Sequence, residues 1–247
     1  MTLKFTNLKV LALAVITVLL YPACSKDNKV LTNNNDKEIA TSVAVNLYKS
    51  IGNTVASQTT AGVPATTSVR NGKKVNDLTC GEYIEVPYNN VYTKGDTVKD
   101  VMIGSNKYIV SCDANNQPNG YAYTGTYKNT GFSPYATYDN SVDENYTLKA
   151  LLPKYAKMEI NGTQNSVYKY TTKKDGEYMV QNNAYGLKGL IIDASSRPFD
   201  ITAGVASFVS KGNNAGRDFS FTGTIEYLGN HKAKVSFNGQ VFNITID

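Results

Sequence analysis

Apolar and polar residues alternate along most of the chain after residue 80, and apolar residues recur at helical spacing in only one stretch before it. The alternation is cleanest at the C-terminal end. Asn238-Gly239 is a strong hairpin signal, a type I′ turn in which both residues take positive φ. A two-residue loop there pairs Phe237 with Gln240, Val235 with Phe242, Ala233 with Ile244 and His231 with Ile246. Directly opposed residues share a face. Ala233, Val235, Phe237, Phe242, Ile244 and Ile246 therefore point one way, and Lys232, Lys234, Ser236, Asn243 and Thr245 the other. A slip of one residue would reverse every side chain, which specifies the register. Upstream, Phe219, Phe221, Ile225 and Tyr227 join the apolar side if the loop at Gly229-Asn230-His231 has an odd length. Phe199, Ile201, Ala203, Val205 and Val209 predict a further strand, so that four strands of a meander share one apolar and one wet side.

From Cys80 the same period begins with Ile84, Val86 and Tyr88, where Pro87 marks an edge or a bulge. Lys94-Gly95-Asp96-Thr97 reads as a turn, Gly104-Ser105-Asn106 competes with it, and Asn161-Gly162 predicts another hairpin. The helical stretch is Ile39, Val43, Leu47 and Ile51, widened by Ala40, Ala44 and Tyr48. Asn35 and Glu38 resemble a capping box before it, and Gly52 predicts its C-terminal stop, giving one amphipathic helix over 36–51. Residues 53–79 are rich in Thr, Ser, Ala and Gly, either a loop or a short hairpin turned at Arg70-Asn71-Gly72-Lys73. At ~1.5–3 kcal/mol per covered large side chain, the apolar sheet face must pack on something, and the helix is a candidate. The fold class expected is mainly β, an antiparallel meander forming a curled sheet or partial barrel with one N-terminal amphipathic helix. Residues 36–247 make a single β-rich domain.

The first residues follow another logic. Lys4 and Lys9 are basic with no acid before Cys24, and Val10 to Leu20 is an 11-residue apolar run broken only by Thr17. It is too short to span a bilayer, which takes ~20 residues, and has the length of a signal-peptide core. Pro22 breaks a helix, Ala23 is the small residue before a cut, and Cys24 with the polar Ser25-Lys26-Asp27-Asn28 follows. This arrangement resembles the lipobox of bacterial lipoproteins, although Tyr21 stands where a leucine is usual. Ser25 after the cysteine is similar to lipoproteins sorted to the outer membrane, and Ser25-Lys26-Asp27 resembles the signal of surface lipoproteins of Bacteroidetes. The resemblance implies a leader over 1–23, acyl chains on Cys24 and a polar tether over 24–35. It further implies an outer-membrane location on the periplasmic or the cell-surface side. Stable anchoring takes at least two chains, since one gives only marginal binding.

Composition narrows the chemistry. Losing Lys4 and Lys9 with the leader takes 25 basic residues to 23 against 20 acidic ones, and the formal charge from +5 to +3. That balance does not suit a nucleic-acid binder. Once Cys24 carries lipid, Cys80 and Cys112 remain as an even pair in an oxidising compartment, where a disulfide is the favoured reading over two buried thiols. With so few cysteines and one histidine, no zinc ligand set is available, and no cofactor is expected. His231 lies in a predicted turn, where a solvated loop residue is the expectation rather than a catalytic base. Asp139, Ser141 and Asp143 with Glu144, and Asp113, Asn115 and Gln117, alternate as calcium ligands do. Both lack the glycine and terminal glutamate of a calcium loop, and turn-forming side chains explain them. Paired carboxylates for glycoside hydrolysis are not nominated by any spacing, and the chain has no Trp for sugar stacking.

Tyrosine is the remaining signal, with 18 in the chain. Tyr121, Tyr123 and Tyr127 fall on one strand face with a gap at Gly125, and Phe132, Tyr135 and Tyr138 follow. Exposed, they form an amphipathic patch for sugars or protein; buried, they are an ordinary β face, the favoured reading. Asp96-Thr97-Val98 resembles the three-residue acceptor for protein O-glycosylation in Bacteroidetes. The expectation is a non-enzymatic envelope module that binds a glycan, peptide or partner protein. The alternatives are a carrier of an apolar ligand inside the curled sheet and, third, a carboxylate hydrolase.

Overall fold

The computed structural model describes residues 33–56, 79–152, 155–195 and 198–246. The expected leader, Cys24, most of the tether and the hairpin at 70–73 lie outside them, as do the side chains of Asn35 and Glu38.

The described residues form one helix and one antiparallel sheet of ten strands in sequential order. Helix α1 covers Asn33–Ala56, and the strands are β1 Tyr83–Lys94, β2 Val98–Cys112, β3 Pro118–Phe132, β4 Ala136–Ala150 and β5 Lys157–Thr172. After them come β6 Tyr178–Asp193, β7 Asp200–Asn214, β8 Arg217–Gly229, β9 Lys232–Phe237 and β10 Gln240–Thr245. Every strand pairs only with its neighbours in sequence, and the sheet is not closed: β1 and β10 are its two edges. The meander of four strands expected at the C-terminal end is thus the last part of a larger one. Pro87 lies on the β1 edge, where its missing N–H costs no ladder bond.

The C-terminal hairpin has the predicted register, with Phe237 opposite Gln240 and Ala233 opposite Ile244. Asn238 and Gly239 take φ of 50° and 72°, as the type I′ turn requires. The β1–β2 hairpin turns through Gly95-Asp96-Thr97, and a disulfide joins Cys80 to Cys112 with Cα atoms 5.8 Å apart. Gly104-Ser105-Asn106 is not a turn but lies within β2.

Three further expectations are corrected. Asn161-Gly162 does not turn a hairpin; it is a bulge inside β5, where the register with β6 shifts between Ile160 and Gly162. The Asn161 side chain fills the irregularity, accepting from the Gly189 N–H at 2.7 Å. The register of β6 with β7 shifts again just beyond Lys188. As a result the period breaks in β7: Ile201 points inward, Ala203 and Val205 outward, and Ala206 and Phe208 inward again. Bulges increase local twist and bend a strand, which suits a sheet curling over a helix.

The third correction concerns Gly52, which does not end α1 but lies inside it. A Cβ there would collide with the ring of Phe199, which stacks on Tyr48 at 4.6 Å between centroids. Positions 48 and 52 are neighbours on one helix face, so glycine makes a notch and tyrosine the wall beside it. The same helix buries Ala40, Val43, Ala44, Leu47 and Ile51 completely against the inner face of the sheet. Two sheet tyrosines donate to its mid-helix carbonyls, Tyr185 to Val43 at 3.3 Å and Tyr227 to Ala44 at 3.2 Å. The helix therefore covers the apolar half of the inner face, formed by residues such as Ile160, Leu190, Ile192, Ile225 and Val235.

Candidate functional site

Beyond the C-terminal half of α1 the inner face changes character. Strand pairing brings Gly125 of β3, Glu144 of β4, Gln164 of β5 and Tyr185 of β6 into one row across the sheet. Glu144 sits on this face because Val142, Tyr146 and Leu148 flank it at period two and are buried with it. Glu144 is only 5% exposed, and its carboxylate is met by four hydroxyls. Ser50 donates to Oε1 at 2.7 Å and Tyr146 to the same oxygen at 3.3 Å. Tyr123 donates to Oε2 at 2.9 Å and Thr54 at 3.0 Å. Two donors come from the helix and two from the sheet, so the glutamate ties one to the other. Burial raises its pKa above the ordinary value, and the four hydroxyls act in the opposite direction.

Tyrosines surround the carboxylate. A Cβ at Gly125 would collide with the Tyr123 hydroxyl, so this glycine is the gap through which the phenol reaches Glu144. Burial, then the nearby Glu144 charge, pushes the Tyr88 hydroxyl up to about 12. Tyr127 is raised by burial and by the neighbouring Tyr168 and Glu144. Tyr146 also donates to Gln164 Oε1 at 2.8 Å, while Gln164 Nε2, fully buried, has no hydrogen-bond partner.

Further along the strands, away from the helix, the face is made of phenols and amides. Gln181 Nε2 donates to Asn183 Oδ1 at 3.1 Å and to Ser210 Oγ at 3.0 Å, and Asn183 reaches Ser166 at 3.4 Å. Asp100 Oδ1 accepts from Tyr138 at 2.6 Å and from Asn129 at 2.8 Å. Tyr88, Tyr127, Tyr138, Tyr168 and Asn140 are half-buried on this side.

The tyrosines singled out from the sequence divide. Tyr121 and Tyr123 are buried, the first stacked on Tyr155 at 5.2 Å and the second on Tyr146 at 5.7 Å. Tyr127 and Tyr138 lie on the polar part of the inner face. Tyr135 is in the turn between β3 and β4 and is exposed. Asp139, Ser141 and Asp143 occupy no loop: they alternate along the outer side of β4, where successive same-face residues are ~6.6–6.8 Å apart, and Asp139 pairs with Lys128 at 3.3 Å. Asp113 Oδ1 instead accepts from the Asn115 and Gln117 N–H groups, both at 2.9 Å, as a turn side chain does. No group of three potential metal ligands occurs among the described residues.

His231 is half-buried rather than solvated. Its Nδ1 lies 2.8 Å from the Tyr48 hydroxyl, which donates to the Phe199 carbonyl at 2.5 Å. Asp200 holds the same turn by accepting from the Asn230 and His231 N–H groups at 2.7 and 3.2 Å. This cluster fastens the helix to two loops.

Spacing alone groups Glu144 with Asp139, Ser141 and Asp143, marks Tyr88 only as a strand residue, and does not single out Tyr168 or Gln164. The alternation Val142, Glu144, Tyr146, Leu148 was the signal that puts Glu144 on the buried face. No known protein family, no characterised protein and no solved structure matches the chain.

Proposed function

We propose that this chain is a lipid-anchored module of the cell envelope that binds a glycan, peptide or partner protein without transforming it. The observation that carries the reading is the polar part of the inner face, where half-buried tyrosines and amides stand side by side outside the cover of the helix. Amphipathic rings beside amides bind by contact and hydrogen bonding and call for no reactive group. The anchor rests on the lipobox-like residues before and after Cys24. The carrier alternative has less behind it, because α1 lies on the apolar half that such a ligand would need. A hydrolase has less still: Glu144 and Asp100 already accept hydrogen bonds from neighbouring side chains.

Two measurements test this. Mass spectrometry of the mature N-terminus is expected to find acyl chains on Cys24, and Cys24→Ala to move the protein out of the membrane fraction. Binding screens with the full chain in detergent against glycans, peptides and proteins are expected to give a ligand displaced by substitution at Tyr138. A bare thiol at Cys24 ends the anchoring half, and blank screens with folded protein end the binding half.

A further inference from the structure

We infer that the ligand of the polar inner face is an uncharged, hydroxyl-rich chain, a neutral polysaccharide. This deepens the binding-module reading and rests on it. The argument starts from where charge is and is not. Between the strand ends of β1–β7, the inward positions carry only Asp100 and Glu144 as charged residues; Lys94, the last residue of β1, is a cation at the rim. Glu144 is buried under four hydroxyls, and Asp100 is engaged by Tyr138 and Asn129.

The outer face of the same strands is rich in charge. Lys107 lies opposite Glu85, Lys128 pairs with Asp139, and Lys169 lies opposite Asp139 in the next strand. The neutrality of the inner face is therefore local and does not follow from overall composition. An anionic polymer would find no cation between the strand ends, and so none of the close pairing that holds a charged partner. A cationic ligand would find its two carboxylates already committed.

What the face does offer is phenols and amides. Tyr127, Tyr138 and Tyr168 present amphipathic rings, apolar enough to lie on the C–H face of a sugar and capped by a hydroxyl. Asn140 holds a donor and an acceptor on one planar group, and Asn129 keeps its amide oxygen and a second N–H beyond the bond to Asp100, the combination that a row of neutral hydroxyls matches. A protein partner would bring an interface core more apolar than its rim, and the apolar half of the face is already under the helix. An extended peptide adding a strand would use an edge, not a face.

The test uses the full chain in detergent, with dextran, galactomannan and xyloglucan as neutral probes, polygalacturonate and heparin as anionic ones, and gelatin as a peptide probe. Affinity electrophoresis is followed by titration calorimetry on whatever is retained. Retention on a neutral polymer, insensitive to salt, is expected. Tyr138→Ala and Asn140→Ala should each weaken it about tenfold or more, a loss of ~1.4 kcal/mol, whereas Lys169→Ala on the outer face should leave it unchanged. Thermal melts of each variant separate lost contact from lost fold, and Tyr138→Phe keeps the ring should Tyr138→Ala unfold. Retention on gelatin or an anionic polymer alone, or neutral binding untouched by the inner-face variants, overturns the inference and leaves a binding module standing. No retention on any probe, with melts intact, overturns both.

Discussion

Glu144 shows how one residue serves both packing and electrostatics. Its two oxygens accept from Ser50, Thr54, Tyr123 and Tyr146, so removing the carboxylate disturbs the helix and the sheet together. Glu144→Gln places an NH₂ group where two hydroxyls donate, and is expected to lower the unfolding free energy by about 1–3 kcal/mol in urea titration. The direction of its pH dependence follows from burial. Because burial raises the folded-state pKa of Glu144 above its ordinary value of 4.5, the folded state keeps a proton that the unfolded chain releases. Its contribution is fully present below the unfolded pKa and is lost as pH rises through the folded one. Stability of the native chain relative to Glu144→Gln should therefore fall as pH rises above that ordinary value. A difference that grows with pH would show that hydrogen bonding outweighs burial. This site was partly legible: the parity of Val142, Tyr146 and Leu148 reveals an inward Glu144. Its helix partners Ser50 and Thr54 were not legible, because nothing local states which strand a helix will face.

Elements were legible where their period was unbroken. The β9–β10 register followed from Asn238-Gly239 and from alternation alone, because a one-residue slip would have exposed the whole apolar set. The same dipeptide misled at Asn161-Gly162, since a positive-φ glycine serves a bulge as well as a turn and only the partner strands decide between them. Gly52 misled for a related reason. It looks like a helix stop, but its lack of a side chain is used sideways, to seat Phe199. In an exposed helix interior, Gly→Ala stabilises by ~0.5–1 kcal/mol. Here Gly52→Ala is expected to destabilise instead, by the ~1–3 kcal/mol typical of overpacking, and to become stabilising in a Phe199→Ala background. Denaturation midpoints of the four proteins in that cycle check both signs, and a stabilising single substitution would refute the notch.

For the molecule as a whole, the mean pattern of the sequence was enough to reach an antiparallel meander with one helix, a curled sheet or a partial barrel; that the sheet stays open follows only from the pairing of all ten strands. Cys80 and Cys112 close a loop around the β1–β2 hairpin at one edge of the sheet, with a sequence separation of 32. Loop-closure entropy for that length gives about 3–4 kcal/mol of stabilisation. Replacing both cysteines by serine is expected to cost that amount in guanidinium titration, and added reductant should reproduce the loss in the native chain. No difference between oxidised and reduced protein would mean that the edge hairpin holds itself.

Neighbour-only pairing lets the ten strands be laid down one after another, each on its predecessor, as the polypeptide is delivered. The helix cannot follow that schedule. First of the described elements to be made, it lies against β7, β9 and β10, among the last. Until those arrive, Val43, Leu47 and Ile51 have no seat, and whatever escorts the nascent chain must shelter one greasy stripe for the length of the whole meander.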